Sequence, residues 1–417
     1  MSDRKSGKQQ LSRRGFMAGA GLAGLGTLLG AGSALAQDTP TTATETTTTA
    51  LPDGAKVPTR PFGKTGQDVA ILSLGGIFDV VNNQLMLRKA IDLGITYWDT
   101  ANGYTGGRSE EGIGVYLEKF PDVRKDLFIV TKSGKRDPKG LTEHLELSLR
   151  RMKTDYVDLF FVHAISGIGE VKSPEIKEWA DRMKKEKKIR FFGFSTHKNM
   201  EQCLAGAPAL GFIDGIMMTY NYRLMHTDAM KSAVDACAKA GIGLTAMKTQ
   251  GGGPVSADSE AELQLAGRFL KKGMTQFQAK LKAVWENEQI AAICSQMPNL
   301  TLLTANTQAA LDGQKLTAGD WRALRHHADA TASAYCAGCA MNCESAAGCG
   351  AGIADAMRVM MYHTSYGDTH QARMAFMELP ESVRHSLVSM NLSEAARVCP
   401  RGLDVAGVVR GAFETLA

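Results

Sequence analysis

With 417 residues, 44% hydrophobic and 22% charged, the chain has the balance of an ordinary globular protein and the length for two or three domains or one large barrel with an appendage. That composition excludes a wholly disordered or fibrous chain. Of the formal charge of +5, residues 1–36 carry +4 (Arg4, Lys5, Lys8, Arg13 and Arg14 against Asp3), and the remaining +1 offers no footprint for a phosphate backbone, so no nucleic-acid partner is expected.

In chain order, Ser12-Arg13-Arg14-Gly15-Phe16-Met17 leads into a Gly/Ala/Leu run that ends at Ala34-Leu35-Ala36, a small-x-small pattern. Residues 1–36 therefore read as a twin-arginine signal peptide. The run is too rich in glycine to reside permanently in ~30 Å of hydrocarbon, and no other stretch reaches about 18 uninterrupted apolar residues. The expectation is export to the periplasm, with no stable membrane span after signal removal. A signal of this kind also implies folding, and acquisition of any cofactor, before export. Residues 37–57, dominated by threonine, read as a flexible linker.

From residue 69 the chain alternates β-rich runs (69–74, 95–99, 127–132, 158–163, 190–195, 215–220, 244–248, 290–294) with stretches of helical period (84–93, 109–120, 141–152, 175–187, 199–205, 227–240, 261–288, 300–311). Strands alternating with helices of this length pair in parallel through right-handed crossovers, and eight such units fit a (β/α)8 TIM barrel over 58–313. A doubly wound open sheet is the rival, but no G-x-G-x-x-G follows the first run. Residues 314–417 lack strand signals, contain amphipathic stretches and crowd cysteines together, so they read as a small, all-helical, cysteine-rich domain held by something bound to sulfur.

In a barrel the chemistry sits where strands end. Asp99 with Tyr104, Lys132 and His163 follow the second, third and fourth runs. Singly, each has an ordinary explanation as a turn former, a surface charge or a core histidine. Together they suit proton delivery to a carbonyl oxygen. Tyr104 would be the acid, Lys132 the cation that favours its anion, Asp99 the group that aims Lys132, and His163 a donor to the oxygen that gains charge.

These pieces resemble the aldo-keto reductase family: Trp98-Asp99-Thr100-Ala101 with Tyr104, Arg108-Ser109-Glu110-Glu111-Gly112-Ile113-Gly114, Thr131-Lys132, Thr154-Asp155-Tyr156-Val157-Asp158-Leu159, His163 and Gly193-Phe194-Ser195, over about residues 61–311. The resemblance implies an enzyme that reduces aldehydes and ketones with hydride from a nicotinamide cofactor, and it implies Asp99, Tyr104, Lys132 and His163 as the catalytic four. The sequence departs from the family in the last unit, where residues 294–306 contain no Lys or Arg to meet a 2′-phosphate. Ser295, Asn299 and Asn306 remain as hydrogen-bonding candidates for a ribose or pyrophosphate, Asn221 for the nicotinamide amide and Ser195 as a further cofactor-binding residue, and the choice between NADP and NAD stays open. After the seventh run, Met247-Lys248-Thr249 offers no aromatic ring to stack on a nicotinamide.

Cys336-x-x-Cys339-x-x-x-Cys343 with the distant Cys399-Pro400 resembles a ferredoxin-like arrangement, which implies one 4Fe–4S cluster. Four-thiolate zinc and disulfides are the competing readings, and Cys349 is a rival fourth ligand. Cys203, Cys237 and Cys294 read as buried small residues, and His326 and His327 as surface residues. The expected function is an exported oxidoreductase acting on a small-molecule carbonyl or alcohol, with a cluster that serves either structure or electron transfer, the latter with a redox partner protein. The competing expectation is a non-catalytic barrel, stapled by metal or disulfides, that binds a small molecule or a partner.

Overall fold

The chain enters the fold through an antiparallel hairpin, β1 (Thr59–Pro61) and β2 (Asp68–Ala70). Phe62, in its turn, is fully buried beneath the barrel, with its ring 5.5 Å from that of Phe128 and 6.4 Å from that of Tyr97. Gly215 and Gly243 make room for it, since a Cβ at either would lie 2.8 or 2.5 Å from the Phe62 ring. The run at 69–74 is thus two strands: β2 belongs to the hairpin, and β3 (Leu72–Gly75) begins the barrel. The protein is described from a computed structural model over residues 51–252, 260–348 and 352–417. Pro52–Ala417 form one compact unit. The arginine pair, the threonine tract and Cys349 lie outside the described residues.

The barrel continues with α1 (Gln84–Asp92), β4 (Tyr97–Asp99), α2 (Arg108–Lys119), β5 (Phe128–Ser133) and α3 (Pro138–Met152). Next come β6 (Val157–Ile165), α4 (Pro174–Lys185), β7 (Ile189–Thr196), α5 (Met200–Gly206), β8 (Gly215–Thr219) and α6 (Asp228–Lys239). It ends with β9 (Gly243–Met247), α7 (Glu260–Leu270), α8 (Gln276–Trp285), β10 (Ala292–Gln296) and α9 (Leu300–Leu311). β10 pairs in parallel with both β9 and β3, which closes the eight parallel strands into the expected TIM barrel. Helix starts are written locally. Asp137, Ser173 and Thr227 each accept a hydrogen bond from the backbone N–H three residues on, and Pro138 and Pro174 occupy first positions that need no donor. The single helical run expected over 261–288 is broken into α7 and α8: Gly273 takes a left-handed φ of 75°, and Thr275 with Gln278 forms a capping box that starts α8.

Among the described residues seven α-helices follow: α10 (Ala318–Ala330), α11 (Ala340–Ala346), α12 (Ile353–Tyr366), α13 (Thr369–Met377), α14 (Glu381–Ser389), α15 (Leu392–Arg397) and α16 (Val405–Leu416). Helix α10 packs on α7, so Leu324, Ala328 and, beyond it, Tyr335 join the barrel's own apolar core. The later helices bury separate clusters, one around Ile353, Met357, Leu387 and Val409, another around Val359, Phe376, Ala412 and Leu416. Each such side chain contributes about 1.5–3 kcal/mol, which gives the later helices an apolar core of their own. One expectation fails here. His327 is not at the surface but 1% exposed, its ring nitrogens placed between the Tyr222 hydroxyl (2.9 Å) and Glu262 Oε1 (2.6 Å), whereas His326 is exposed as expected. Among the described residues, no helix is long and apolar enough to cross a membrane.

Candidate active site

Asp99, the last residue of β4, and Lys132, near the end of β5, are both buried, and Lys132 Nζ lies 2.5 Å from Asp99 Oδ1. The ammonium also donates to the Thr100 carbonyl (2.7 Å) and, at 3.5 Å, to the Tyr104 hydroxyl, so its direction is fixed by three oxygens. His163 on β6 brings its ring edge-on to Tyr104, with centroids 5.8 Å apart. The four residues expected to carry the chemistry therefore meet at one end of the barrel. Tyr104 and His163 keep part of their surface accessible, while Asp99 and Lys132 lie beneath them.

The electrostatics differ from expectation at one point. Burial, with the Asp99 carboxylate next, holds the Tyr104 phenol well above its ordinary value, because Asp99 neutralises the ammonium that was to favour the anion. Burial, with Lys132 and Arg358 adding to it, pushes the His163 imidazole well below its usual range, so the ring is neutral. The site therefore holds a protonated phenol and a neutral imidazole, two groups that can donate to one oxygen.

The segment carrying Tyr104 is anchored by the buried Glu110, which accepts from Thr131 Oγ1 (2.6 Å) and pairs with Arg151 (3.2 Å); Arg151 in turn donates to the Asn102 carbonyl. The glycines of the 108–114 stretch are contact requirements: a Cβ on Gly112 would meet the Val80 backbone at 2.5 Å, and one on Gly114 the Arg151 carbonyl at 2.0 Å. At the opposite end of the barrel Asp158 is held by Arg124 (2.9 Å) and Arg190 (2.7 Å). The stretches that surround the four residues in sequence thus aim or support them.

The proposed nucleotide residues are not brought into one group. Ser195 Oγ accepts from the Ala164 N–H (2.9 Å). Asn221 Nδ2 donates to the Lys248 carbonyl (3.1 Å) and the Tyr335 hydroxyl (2.9 Å), so a residue from beyond the barrel occupies the amide expected to read a nicotinamide. Asn306 donates to Ser295 Oγ (3.0 Å), and Asn299 caps α9 by accepting from the Leu302 N–H. Cys294, expected to be a small buried residue, is only partly buried, and its thiol is held well above its ordinary value by burial and then by the nearby Asp99 carboxylate.

The post-barrel region supplies groups that the sequence did not single out. The Lys248 ammonium donates to the Tyr362 hydroxyl (2.9 Å), Arg358 reaches the same hydroxyl at 3.4 Å, and Lys198 pairs with Asp355 (2.6 Å), which tie α12 to the ends of β7 and β9. Cys336, Cys339, Cys343 and Cys399 all line one small cavity together with Pro400, Ile353 and Met357. None of the four is in a disulfide. Burial pushes the Cys336 thiol up to about 12 and the Cys343 thiol up to about 11, so only a bound cation would draw them to thiolates near neutrality.

The family model described as "Aldo/keto reductase family" matches residues 77–304, more than half of the chain and the whole of the catalytic arrangement above. The chain belongs to the aldo/keto reductase family. Among aldo/keto reductases and related oxidoreductases, an uncharacterized oxidoreductase YqkF of Bacillus subtilis is 34% identical over 152 residues, 33% of this chain and 48% of that protein. L-glyceraldehyde 3-phosphate reductase of Escherichia coli is 38% identical over 125 residues, 25% of this chain and 36% of that protein. The matched part thus spans half or less of these relatives' length. The aldo-keto reductase AKR11C1 of Bacillus halodurans in its holo form, 21% identical, superposes with a TM-score of 0.53 over 65% of this chain and 96% of its own, a likeness of fold.

Proposed function

We propose that this chain is an exported oxidoreductase that interconverts a small carbonyl compound and its alcohol at the Tyr104 site, with a C-terminal 4Fe–4S cluster held by Cys336, Cys339, Cys343 and Cys399. The observation that carries the catalytic part is the buried Asp99–Lys132 pair lying directly under the Tyr104 hydroxyl and beside the neutral His163 ring. A nicotinamide cofactor, when bound, supplies the hydride. Tyr104 passes its proton to the carbonyl oxygen, Lys132 meets the phenolate left behind, and His163 donates its ring N–H to the same oxygen as charge develops there. Asp99 keeps Lys132 aimed at the phenol. Ser295 near the end of β10, Asn299 at the cap of α9 and Asn306 further along that helix suit a ribose or pyrophosphate; a 2′-phosphate finds no cation among residues 294–306.

Four cysteines on one cavity, none disulfide-bonded, are a donor set for soft metal. Among the described residues no three His, Cys, Asp or Glu side chains lie close enough to hold a single ion. The Arg13-Arg14 signal supports export to the periplasm, where a redox partner protein would exchange electrons with the cluster. The full chain, purified from the periplasm, should contain iron and sulfide, absorb broadly in the visible, and oxidise a nicotinamide cofactor when an aldehyde is added. Lys132→Met should lose the aldehyde-dependent rate by about 10²-fold or more with the iron retained. Zinc in place of iron would remove the cluster, and an undiminished rate in Lys132→Met would remove the catalytic assignment.

A further inference from the structure

Helix α12 lays a second set of polar groups over the strand ends, beyond the four residues of the catalytic site. Arg358 lies within electrostatic reach of Tyr104, His163 and His197, and Tyr362 within reach of Tyr104. The charged groups around this space, taken from every element that faces it, largely cancel: Lys132 pairs with Asp99, Arg136 with Glu170, and Lys198 with Asp355. Arg358 shares Asp355 only at 3.4 Å, and Lys248 has no carboxylate among the described residues. Two cations therefore converge on one phenol oxygen, Lys248 Nζ at 2.9 Å and Arg358 Nη1 at 3.4 Å, with Lys248 also 4.3 Å from the Tyr362 ring centroid. Arg358 Nε is buried with no hydrogen-bond partner. Lys248 takes a left-handed φ of 56°, a conformation that a long side chain adopts only where its surroundings dictate it.

Like charges gathered at low exposure are costly unless an anion joins them. The phenol between them responds in that sense: Lys248 and Arg358 overcome the effect of burial and bring Tyr362 down to about 8. Its neighbours Tyr104 and Tyr366 are held up instead.

We propose that Arg358 and Lys248, bridged by the Tyr362 hydroxyl, form a receptor for a carboxylate beside the catalytic oxygens, so that the substrate is an oxo acid. The assignment rests on the carbonyl-reductase reading of the Tyr104 site and adds the substrate class. The receptor lies apart from the Tyr104–His163 pair, which handles the carbonyl oxygen; Arg358 and Lys248 hold the other end of the same molecule through charge-assisted hydrogen bonds.

The test has a binding arm and a kinetic arm, both on the full chain. In the binding arm, tyrosinate absorbance is followed against pH with sodium acetate, with inorganic phosphate, or with neither. The wild type shows a tyrosinate transition near pH 8 that Tyr362→Phe lacks. Acetate moves that transition to higher pH, and Arg358→Gln abolishes the move, while Arg358→Lys, which keeps the charge, retains part of it. A move with phosphate alone would assign the receptor to a nucleotide phosphate and overturn the carboxylate; no move with either anion would overturn the receptor. In the kinetic arm, wild type reduces succinate semialdehyde with a kcat/KM about 30-fold above that for butanal, and Arg358→Gln brings the two together by raising KM for the acid. Equal turnover of both by wild type overturns the receptor and leaves the carbonyl reading standing. An acetate response without turnover of either aldehyde overturns the carbonyl reading, and with it the oxo acid.

Discussion

Lys132 reaches the Tyr104 hydroxyl at 3.5 Å and the Asp99 carboxylate at 2.5 Å, so its charge is spent mainly on Asp99 and the phenol keeps its proton. Tyr362 is the opposite case: two cations meet its oxygen, and its pKa falls from 10.0 to about 8. A depressed acid stabilises the fold fully above its unfolded value, and that stability is lost as pH falls through the folded value. Raising the pH from about 8 to 10 should therefore add about 2–3 kcal/mol of stability in wild type relative to Tyr362→Phe, read as the difference between their denaturant midpoints at each pH. Curves that stay parallel from pH 7 to 10 would contradict the cation pair around Tyr362. At this scale the sequence made Asp99, Tyr104, Lys132 and His163 legible because strand ends in a barrel converge by geometry alone. Arg358 and Tyr362 were not legible: helical period in residues 353–362 reports that one face is covered, and only docking decides what covers it. His327 was misread for the same reason, since its burial depends on Glu262 and Tyr222 arriving from distant segments.

Helix α9 bears on nucleotide choice. Its first turn offers backbone N–H groups and the Asn299 cap, the Asn306–Ser295 pair joins the helix further along to the end of β10, and residues 294–306 bring no ammonium or guanidinium. Equilibrium titration should thus find NADPH favoured over NADH by less than ~100-fold, or about 2.7 kcal/mol; a larger preference would require a cation from elsewhere. The eight strand runs and most helices lie where the alternation of periods put them. The exceptions are local. Ile71 separates hairpin from barrel without any turn residue to announce it, and the break between α7 and α8 was written in Gly273 and in the Thr275–Gln278 capping box but overlooked within a longer apolar period.

Across the whole molecule, the post-barrel helices act on the barrel's catalytic end as well as carrying the cysteines. Tyr335 takes the Asn221 amide, Asn199 donates its N–H to the Gly338 carbonyl (2.8 Å), and Cys336 and Cys339 flank that contact in sequence. A group bound by the four thiolates would thus fasten this seam, with Cys399 closing the longest loop from just ahead of α16. Cys399→Ser should deplete the iron and increase hydrogen exchange across α16, whereas Cys349→Ser should do neither; the reverse result would move the fourth ligand to Cys349. The sequence disclosed these cysteines through spacing and the Cys399-Pro400 pair, but not that they lie beside the catalytic end.

The central claim is that Tyr104 delivers the proton to a carbonyl oxygen, and Tyr104→Phe tests it most directly because the ring stays and only the hydroxyl goes. Steady-state kinetics with an aldehyde and a nicotinamide cofactor should give a kcat lower by ~10²–10⁴ than wild type, with an unchanged circular dichroism spectrum and iron content. A Tyr104→Phe protein that turns over the aldehyde at the wild-type rate would contradict it.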